Sequence, residues 1–132
     1  MSGVRFFVMV KPDGVKRGLV GEIISRFEKR GFKLHNMKMT VPSKELAAEH
    51  YKEHEGKVFF KDLIEFTCSG AVIPMIWEGT VEVAREIVGA TIPWDATKGS
   101  IRGDYACSLR YNLIHCSDSV ESAKREIDLW FK

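Results

Sequence analysis

Phe6-Phe7-Val8-Met9-Val10 is an unbroken apolar run, and a run this short reads as a central strand buried on both faces. Lys11-Pro12-Asp13-Gly14 follows it and predicts a turn. The period then changes. Ile23, Ile24 and Phe27 recur at i, i+1 and i+4 among Glu22, Arg26, Glu28, Lys29 and Arg30. That is the spacing of an amphipathic helix, and Gly31 is placed to stop it. Met37, Met39 and Val41 stand two apart, so residues 34–41 predict a strand. Ser43 suits the N-cap of a helix running through Leu46, Ala47, Tyr51 and His54 to about Gly56. Phe59, Phe60, Leu63, Ile64 and Phe66 form a second helical stripe. Residues 71–77 are strand-like again, and Pro74, having no N–H to donate, is expected at an edge or a bulge. Thr80 to Val88 predicts a short helix ended by Gly89.

Residues 91–104 break the pattern. They hold Pro93, Gly99 and Gly103 and show no period. A long irregular stretch in a compact domain usually carries function. Asn112 to His115 predicts the last strand. Asp118-Ser119-Val120-Glu121 fits a capping box with Asp118 at the cap, opening a helix that sets Val120, Ala123, Ile127 and Trp130 on one face. The order is β-α-β-α-α-β-α-loop-β-α with the second and third strands paired. This predicts an α+β, ferredoxin-like (split βαβ) fold, with an antiparallel four-stranded sheet, helices on one face and residues 1–132 in a single domain.

Composition narrows the function classes. Hydrophobic residues make up 45% of the 132, enough for one core, so neither disorder nor a disulfide-stapled miniature fits. A formal net charge of +2 gives no bulk electrostatic argument for a nucleic-acid or membrane partner. The three cysteines, Cys68, Cys107 and Cys116, lack CxxC spacing and point to a reducing compartment. No signal-peptide pattern and no membrane-length apolar run is present, so the expected address is cytoplasmic.

Familiar phosphate-binding signatures are missing: there is no P-loop, no GxGxxG after a strand, no HRD and no DFG. Gly14, Gly18 and Gly21 read better as turn glycines than as a phosphate cradle. His50 and His54 stand four apart, a metal-ligand spacing, but Glu49, Glu53 and Glu55 make this stretch look like a solvated helix face and no third ligand is evident, so no protein-held metal is expected. His35 reads as a surface or satisfied core histidine. Arg102-Gly103-Asp104 spells an adhesion tripeptide, yet an arginine and a glycine in a long loop suit a phosphate better. His115 sits where an apolar run meets a polar turn. It reads either as an inert, hydrogen-bonded histidine or as a nucleophile. Lys11, Arg85, Thr91, Arg102 and Asn112 favour the second reading, because all of them can converge on one polyanion. An ordinary imidazole, with a pKa of ~6.5, is neutral and nucleophilic at cellular pH. Glu126 on the last helix is the candidate to hold its other ring nitrogen.

The stretch Asn112-Leu113-Ile114-His115-Cys116-Ser117-Asp118-Ser119 resembles the active-site signature N-x-x-H-[GA]-S-D of the nucleoside diphosphate kinase family. Lys11-Pro12-Asp13-Gly14-Val15, Arg17 to Ile24, Glu49-His50-Tyr51, Phe59-Phe60, Trp77-Glu78-Gly79 and Gly99 to Asp104 resemble the family's other blocks in order. The resemblance implies a ping-pong transfer of a γ-phosphate from a nucleoside triphosphate to a nucleoside diphosphate through phosphohistidine on His115. It gives Lys11 phosphate and sugar contacts, places Tyr51 beside the histidine and stacks the base on Phe59. Arg85, Thr91 and Arg102 would hold phosphate, Asn112 the ribose, and Ser117 and Glu126 the imidazole. It implies Mg²⁺ carried mainly by the nucleotide phosphates, and a homohexamer built as a trimer of dimers.

The chain also departs from the family pattern. Cys116 replaces the usual glycine or alanine, and a thiol beside the nucleophile is expected to make the site sensitive to oxidation or alkylation. The segment from Trp77 to Thr91 is about two residues shorter than in common members. Ile92 and Trp94 flank the loop proline where Asn and Ala are frequent. The sequence stops at Lys132, without the tail by which many members reach across subunits. The fold alone would also serve a module for single-stranded nucleic acid or a protein, or a catalytically dead relative. Against these stand the missing RNP1 run and the full set of matching polar residues.

Overall fold

The computed structural model describes residues 3–106, 108–109 and 111–131. Its strands are β1 (Val4–Val10), β2 (Lys33–Met37), β3 (Ile73–Gly79) and β4 (Ile114–Cys116). Its helices are α1 (Pro12–Lys16), α2 (Val20–Lys29), α3 (Lys44–His50), α4 (Phe60–Thr67), α5 (Val81–Val88), α6 (Ile101–Tyr105) and α7 (Val120–Trp130). The sheet order is β2-β3-β1-β4 with every pairing antiparallel, the topology of a ferredoxin-like α+β fold. Among the described residues, no helix is long and apolar enough to cross a membrane.

β1 is the spine. Phe6 to Val10 are all completely buried, each worth about 1.5–3 kcal/mol of transfer free energy. Successive side chains point to opposite faces, and both faces are covered. Phe6, Val8 and Val10 pack with Ile23 and Phe27 of α2, Trp77 of β3 and Ile87 of α5. Phe7 and Met9 pack on the other side with Trp130 of α7 and Leu46 of α3. The expectation of helices on one face is therefore corrected. A strand apolar at every position needs a partner layer on each side, and α3 and α7 supply the second.

Other boundaries move for local reasons. The Pro-Asp-Gly turn is the first turn of α1, with Pro12 at its start where the missing N–H is harmless. Pro74 sits in the interior strand β3, not at a sheet edge. It is the second residue of that strand, just before the β2 ladder begins at Met75, so little pairing is lost. The bulge falls instead between Leu34 and Asn36 of β2, which ends at Met37; Met39 and Val41 are exposed. The helix expected to run through His54 stops at His50 and resumes as a 3₁₀ turn over Lys52–His54. Residues 91–104 contain a 3₁₀ turn at Pro93–Asp95 and the start of α6, capped by Ser100, whose hydroxyl accepts the Gly103 N–H. Ser119, rather than Asp118, caps α7.

Candidate active site

β4 brings His115 to the sheet's edge beside β1, with Met9 as its partner in register. Its Nε2 lies 2.9 Å from Glu126 Oε2. An ionised carboxylate only accepts, so the imidazole proton is assigned to Nε2 and the lone pair to Nδ1. Glu126 is itself buried in α7, and its other oxygen accepts the Ser117 hydroxyl at 2.8 Å. Ser117 Oγ in turn accepts the Phe7 N–H of β1 at 3.0 Å. The nucleophile candidate is thus referenced, through two side chains, to the most buried strand of the fold.

A cavity of about 590 Å³ opens on His115. Its wall includes Lys11, Tyr51, Phe59, Arg85, Thr91, Arg102, Asn112 and Glu126, so the structure brings together every predicted site residue except Ser117, which stands behind Glu126. A larger, more open cleft of about 780 Å³ lies between α2, α5 and residues 97–100; it shares Arg85 with the first but contains none of the His115 network.

The basic residues divide by burial. Lys11 is buried, and its ammonium donates to Asn112 Oδ1 at 2.9 Å. Burial, helped by the Arg102 guanidinium, lowers its pKa to about 8. Arg102 is also buried and donates to three backbone carbonyls: Asn112 (3.4 Å), Gly89 (3.0 Å) and Ile114 (2.5 Å). Three of its five N–H groups are spent on the walls of the site, so it is a structural strut as well as a cation, its pKa lowered to about 10 by burial and then by Arg85. The Arg-Gly-Asp tripeptide lies within α6 with its arginine buried, and Asp104 is paired with Arg26 at 2.8 Å, so the three side chains are not presented together on a loop. Arg85 donates to the Cys116 carbonyl at 3.3 Å. Phe59 is half-exposed on the cavity wall.

Two expectations change. Cys116 is buried, and burial pushes its thiol up to about 12. A thiol without thiolate is a poor nucleophile, so its proximity to His115 does not make it reactive. Cys68 carries a free thiol, and Cys107 lies outside the described residues. His50 is the second change, since it is buried rather than on a solvated face. Leu46, Ala47 and His50 fall on one helical stripe, the signal that would have placed it inward. Its ring centroid is 4.5 Å from that of His115, edge to face. Trp130 donates its indole N–H to His50 Nδ1 at 3.0 Å, which assigns the His50 proton to Nε2. Burial, then the neighbouring His115 and Arg125, hold the His50 pKa well below its ordinary value. His54 is on the 3₁₀ turn and lines the same cavity, its ring 6.3 Å from that of Tyr51 and 5.5 Å from that of Phe59.

His50, His115 and Glu126 each offer a ligand atom within 4.8 Å of the others, close enough to face one divalent ion. In their present hydrogen bonds the His50 lone pair is committed to Trp130 and the His115 Nε2–H to Glu126, which leaves the His115 Nδ1 lone pair as the uncommitted one of the two rings.

The backbone before β4 is unusual. Leu113 has φ +77°, and the Ile114 N–H donates to the Asn112 carbonyl at 2.9 Å. This is a γ-turn of the positive-φ kind, rare and costing about 1–3 kcal/mol.

Comparison with known proteins bears directly on this constellation. The family model described as nucleoside diphosphate kinase matches residues 5–132. The chain belongs to the nucleoside diphosphate kinase family. A nucleoside diphosphate kinase of Carboxydothermus hydrogenoformans is 59% identical over 130 residues, covering 97% of this chain and 87% of that one. One from an Exiguobacterium species is 57% identical over 127 residues, covering 95% and 91%. The solved structure of a halophilic member from Halobacterium salinarum, in complex with CDP, superposes with a TM-score of 0.93 at 48% identity, covering 98% of this chain and 88% of that one. The family's fold and the order β2-β3-β1-β4 agree, and the site residues described above all fall within the matched span.

Proposed function

We propose that the protein is a nucleoside diphosphate kinase that passes a γ-phosphate through His115. The observation that carries this is the Glu126–His115 hydrogen bond of 2.9 Å, which leaves Nδ1 as the ring nitrogen with a lone pair in a cavity whose wall includes Lys11, Arg85 and Arg102. In the first half-reaction Nδ1 attacks the γ-phosphorus of a nucleoside triphosphate. The P–N bond forms as the bond to the β,γ-bridging oxygen breaks, and the diphosphate leaves with the electron pair. In the second, a terminal oxygen of another diphosphate attacks the same phosphorus and the P–N electrons return to Nδ1. One pocket serves both halves, because donor and acceptor need not bind together.

Phosphoryl transfer asks mainly for positioning and charge compensation. Arg85, Arg102 and Thr91 hold phosphate oxygens, Lys11 and Asn112 the ribose side and the phosphate chain, and Phe59 the base. Stacking on Phe59 accepts any base, since each has a π-face. Tyr51 lines the wall beside His115, its phenol pushed up to about 12 by burial, so it stays a neutral donor. Ser117 and Glu126 fix the imidazole, and the carboxylate offsets the charge that the ring gains during attack.

Mg²⁺ enters with the substrate. It is a hard ion that takes oxygen ligands, and the cluster at the nucleophile offers two imidazole nitrogens and a single carboxylate, both oxygens of which are already hydrogen-bonded. The nucleotide phosphates are the better donors, and an ion held there would neutralise oxygen charge. The assembly is a homohexamer, a trimer of dimers, in the cytoplasm.

The test is labelling with γ-labelled ATP and Mg²⁺. An acid-labile, alkali-stable label that His115→Ala abolishes is expected; a label surviving that substitution would refute the assignment.

A further inference from the structure

The strained turn before the nucleophile has a holder that the transfer chemistry has not used. Asp13, at the start of α1, is separated from Leu113 by a hundred residues in sequence, yet its Oδ2 accepts the Leu113 N–H at 3.1 Å. The Leu113 carbonyl is taken by the Lys11 N–H at 2.8 Å. Gly14 comes so close that a Cβ there would stand 3.0 Å from the Leu113 oxygen. Both backbone groups of the positive-φ residue are thus gripped by residues 11–14, and Arg102 grips the carbonyls on either side of it.

Asp13 is nine-tenths buried, and its second oxygen, Oδ1, has no hydrogen-bond partner among the described residues. Burial raises its pKa, opposed by the nearby Lys11 and by the backbone N–H groups of Asp13, Leu113 and Gly14. Keeping a carboxylate in such surroundings is costly, and a buried polar atom left unpaired calls for a reason. Without an acceptor in that place, a leucine would relax toward negative φ. The strand that starts at Ile114 would then shift, carrying His115 away from Glu126.

We propose that Asp13 is a positioning residue of the phosphoryl-transfer site: by accepting the Leu113 N–H it holds the γ-turn that sets His115 against Glu126. This rests on the phosphohistidine reading above. Asp13 touches neither His115 nor, on this view, the nucleotide, and it acts through the backbone alone.

The experiment compares Asp13→Ala and Asp13→Asn with the unaltered enzyme by rapid-quench phosphorylation with γ-labelled ATP, alongside calorimetric ADP binding. A misplacement near 1 Å costs about 100-fold in such a step. Asp13→Ala is therefore expected to form phosphohistidine about 100-fold more slowly, with ADP affinity kept within about threefold. Asp13→Asn, whose amide oxygen can accept the same N–H, is expected within about fivefold of the unaltered rate. Asp13→Ala at the unaltered rate overturns the proposal, and so does Asp13→Asn performing no better than Asp13→Ala. Should Asp13→Ala not fold, Asp13→Glu takes its place: its extra methylene displaces the acceptor, and a loss of about tenfold or more is expected, whereas an unaltered rate overturns the proposal. Failure of the unaltered enzyme to label on His115 is a separate outcome and refutes the phosphotransferase reading itself.

Discussion

Glu126→Gln removes one charge beside the nucleophile and almost nothing else. The amide oxygen can still accept the His115 Nε2–H, and the amide N–H₂ can donate to Ser117 Oγ while that hydroxyl turns toward the Phe7 carbonyl 3.2 Å away. Ring orientation is therefore retained, and what goes is the carboxylate 2.9 Å from Nε2. Two unit charges about 4 Å apart attract by about 4 kcal/mol at an effective dielectric near 20. In a loose transition state the imidazole carries only part of that charge, so about half, or about 2 kcal/mol, is lost. That is about a 30-fold slower phosphorylation of His115. Rapid-quench formation of phosphohistidine under saturating MgATP measures it. KM is expected to stay within about threefold, because the carboxylate faces the ring and not the nucleotide. A rate within twofold of the unaltered enzyme, or a loss confined to KM, would show that Glu126 serves geometry only.

Further outcomes follow from the site. Lys11, with its pKa lowered to about 8, loses its charge in a range where an ordinary lysine keeps it, so kcat/KM should fall as pH rises through about 8, while kcat should not, bound phosphate restoring the cation; a kcat/KM flat to pH 9 would contradict this. Because this folded pKa lies below the unfolded one, the unfolded chain binds more protons from about pH 8 to 10.5 and stability should rise with pH across that window, opposite to activity. Iodoacetamide at pH 8 should modify Cys68 before Cys116, as mass spectrometry of peptides would report; early modification of Cys116 with loss of activity would restore the reactive-thiol view. Phe59→Ala should raise KM about 5- to 50-fold for every nucleoside triphosphate with kcat little changed, and an effect restricted to purines would argue against sequence-tolerant stacking. Trp130→Phe leaves His50 Nδ1 buried without its donor and should lower stability by about 1–3 kcal/mol, read by urea unfolding; an unchanged midpoint would mean that the indole N–H is dispensable.

Legibility in the sequence followed the range of the interaction. The apolar run of β1, the stripe of α2 and the stop at Gly31 are set by neighbours a few residues apart, and each was readable. Glu126 was readable only as a candidate, because spacing on a helix with several polar residues does not prove a contact; the fold supplies the 2.9 Å bond. Arg102 was readable as a cation of the site but not as a strut, since its three carbonyl partners lie on the Gly89 turn and the β4 approach, and only the fold brings these together. His50 was misread because three glutamates surround it in sequence. What decides its side is the phase of α3, which puts His50 on the stripe of Leu46 and Ala47, while Arg125 of α7 donates to the Glu49 and His50 carbonyls at the helix end.

The same division explains why β4 is so short. A nucleophile must stay partly open to a substrate, and His115 keeps about a fifth of its side chain exposed, so the strand that carries it cannot be locked by a long ladder. Only Val8, Met9 and Val10 pair with it. The Ser117 N–H on the Phe7 carbonyl and the Lys11 N–H on the Leu113 carbonyl carry the pairing with β1 one residue further at each end, and beyond them side chains take over: the Asp13 carboxylate on Leu113, the Arg102 guanidinium on Asn112 and Ile114, and the Ser117 hydroxyl on Phe7. The precision of His115 therefore depends on residues that a hydrophobic pattern does not mark, and Leu113, wholly buried yet at positive φ, is where the competing demands of core and catalysis meet.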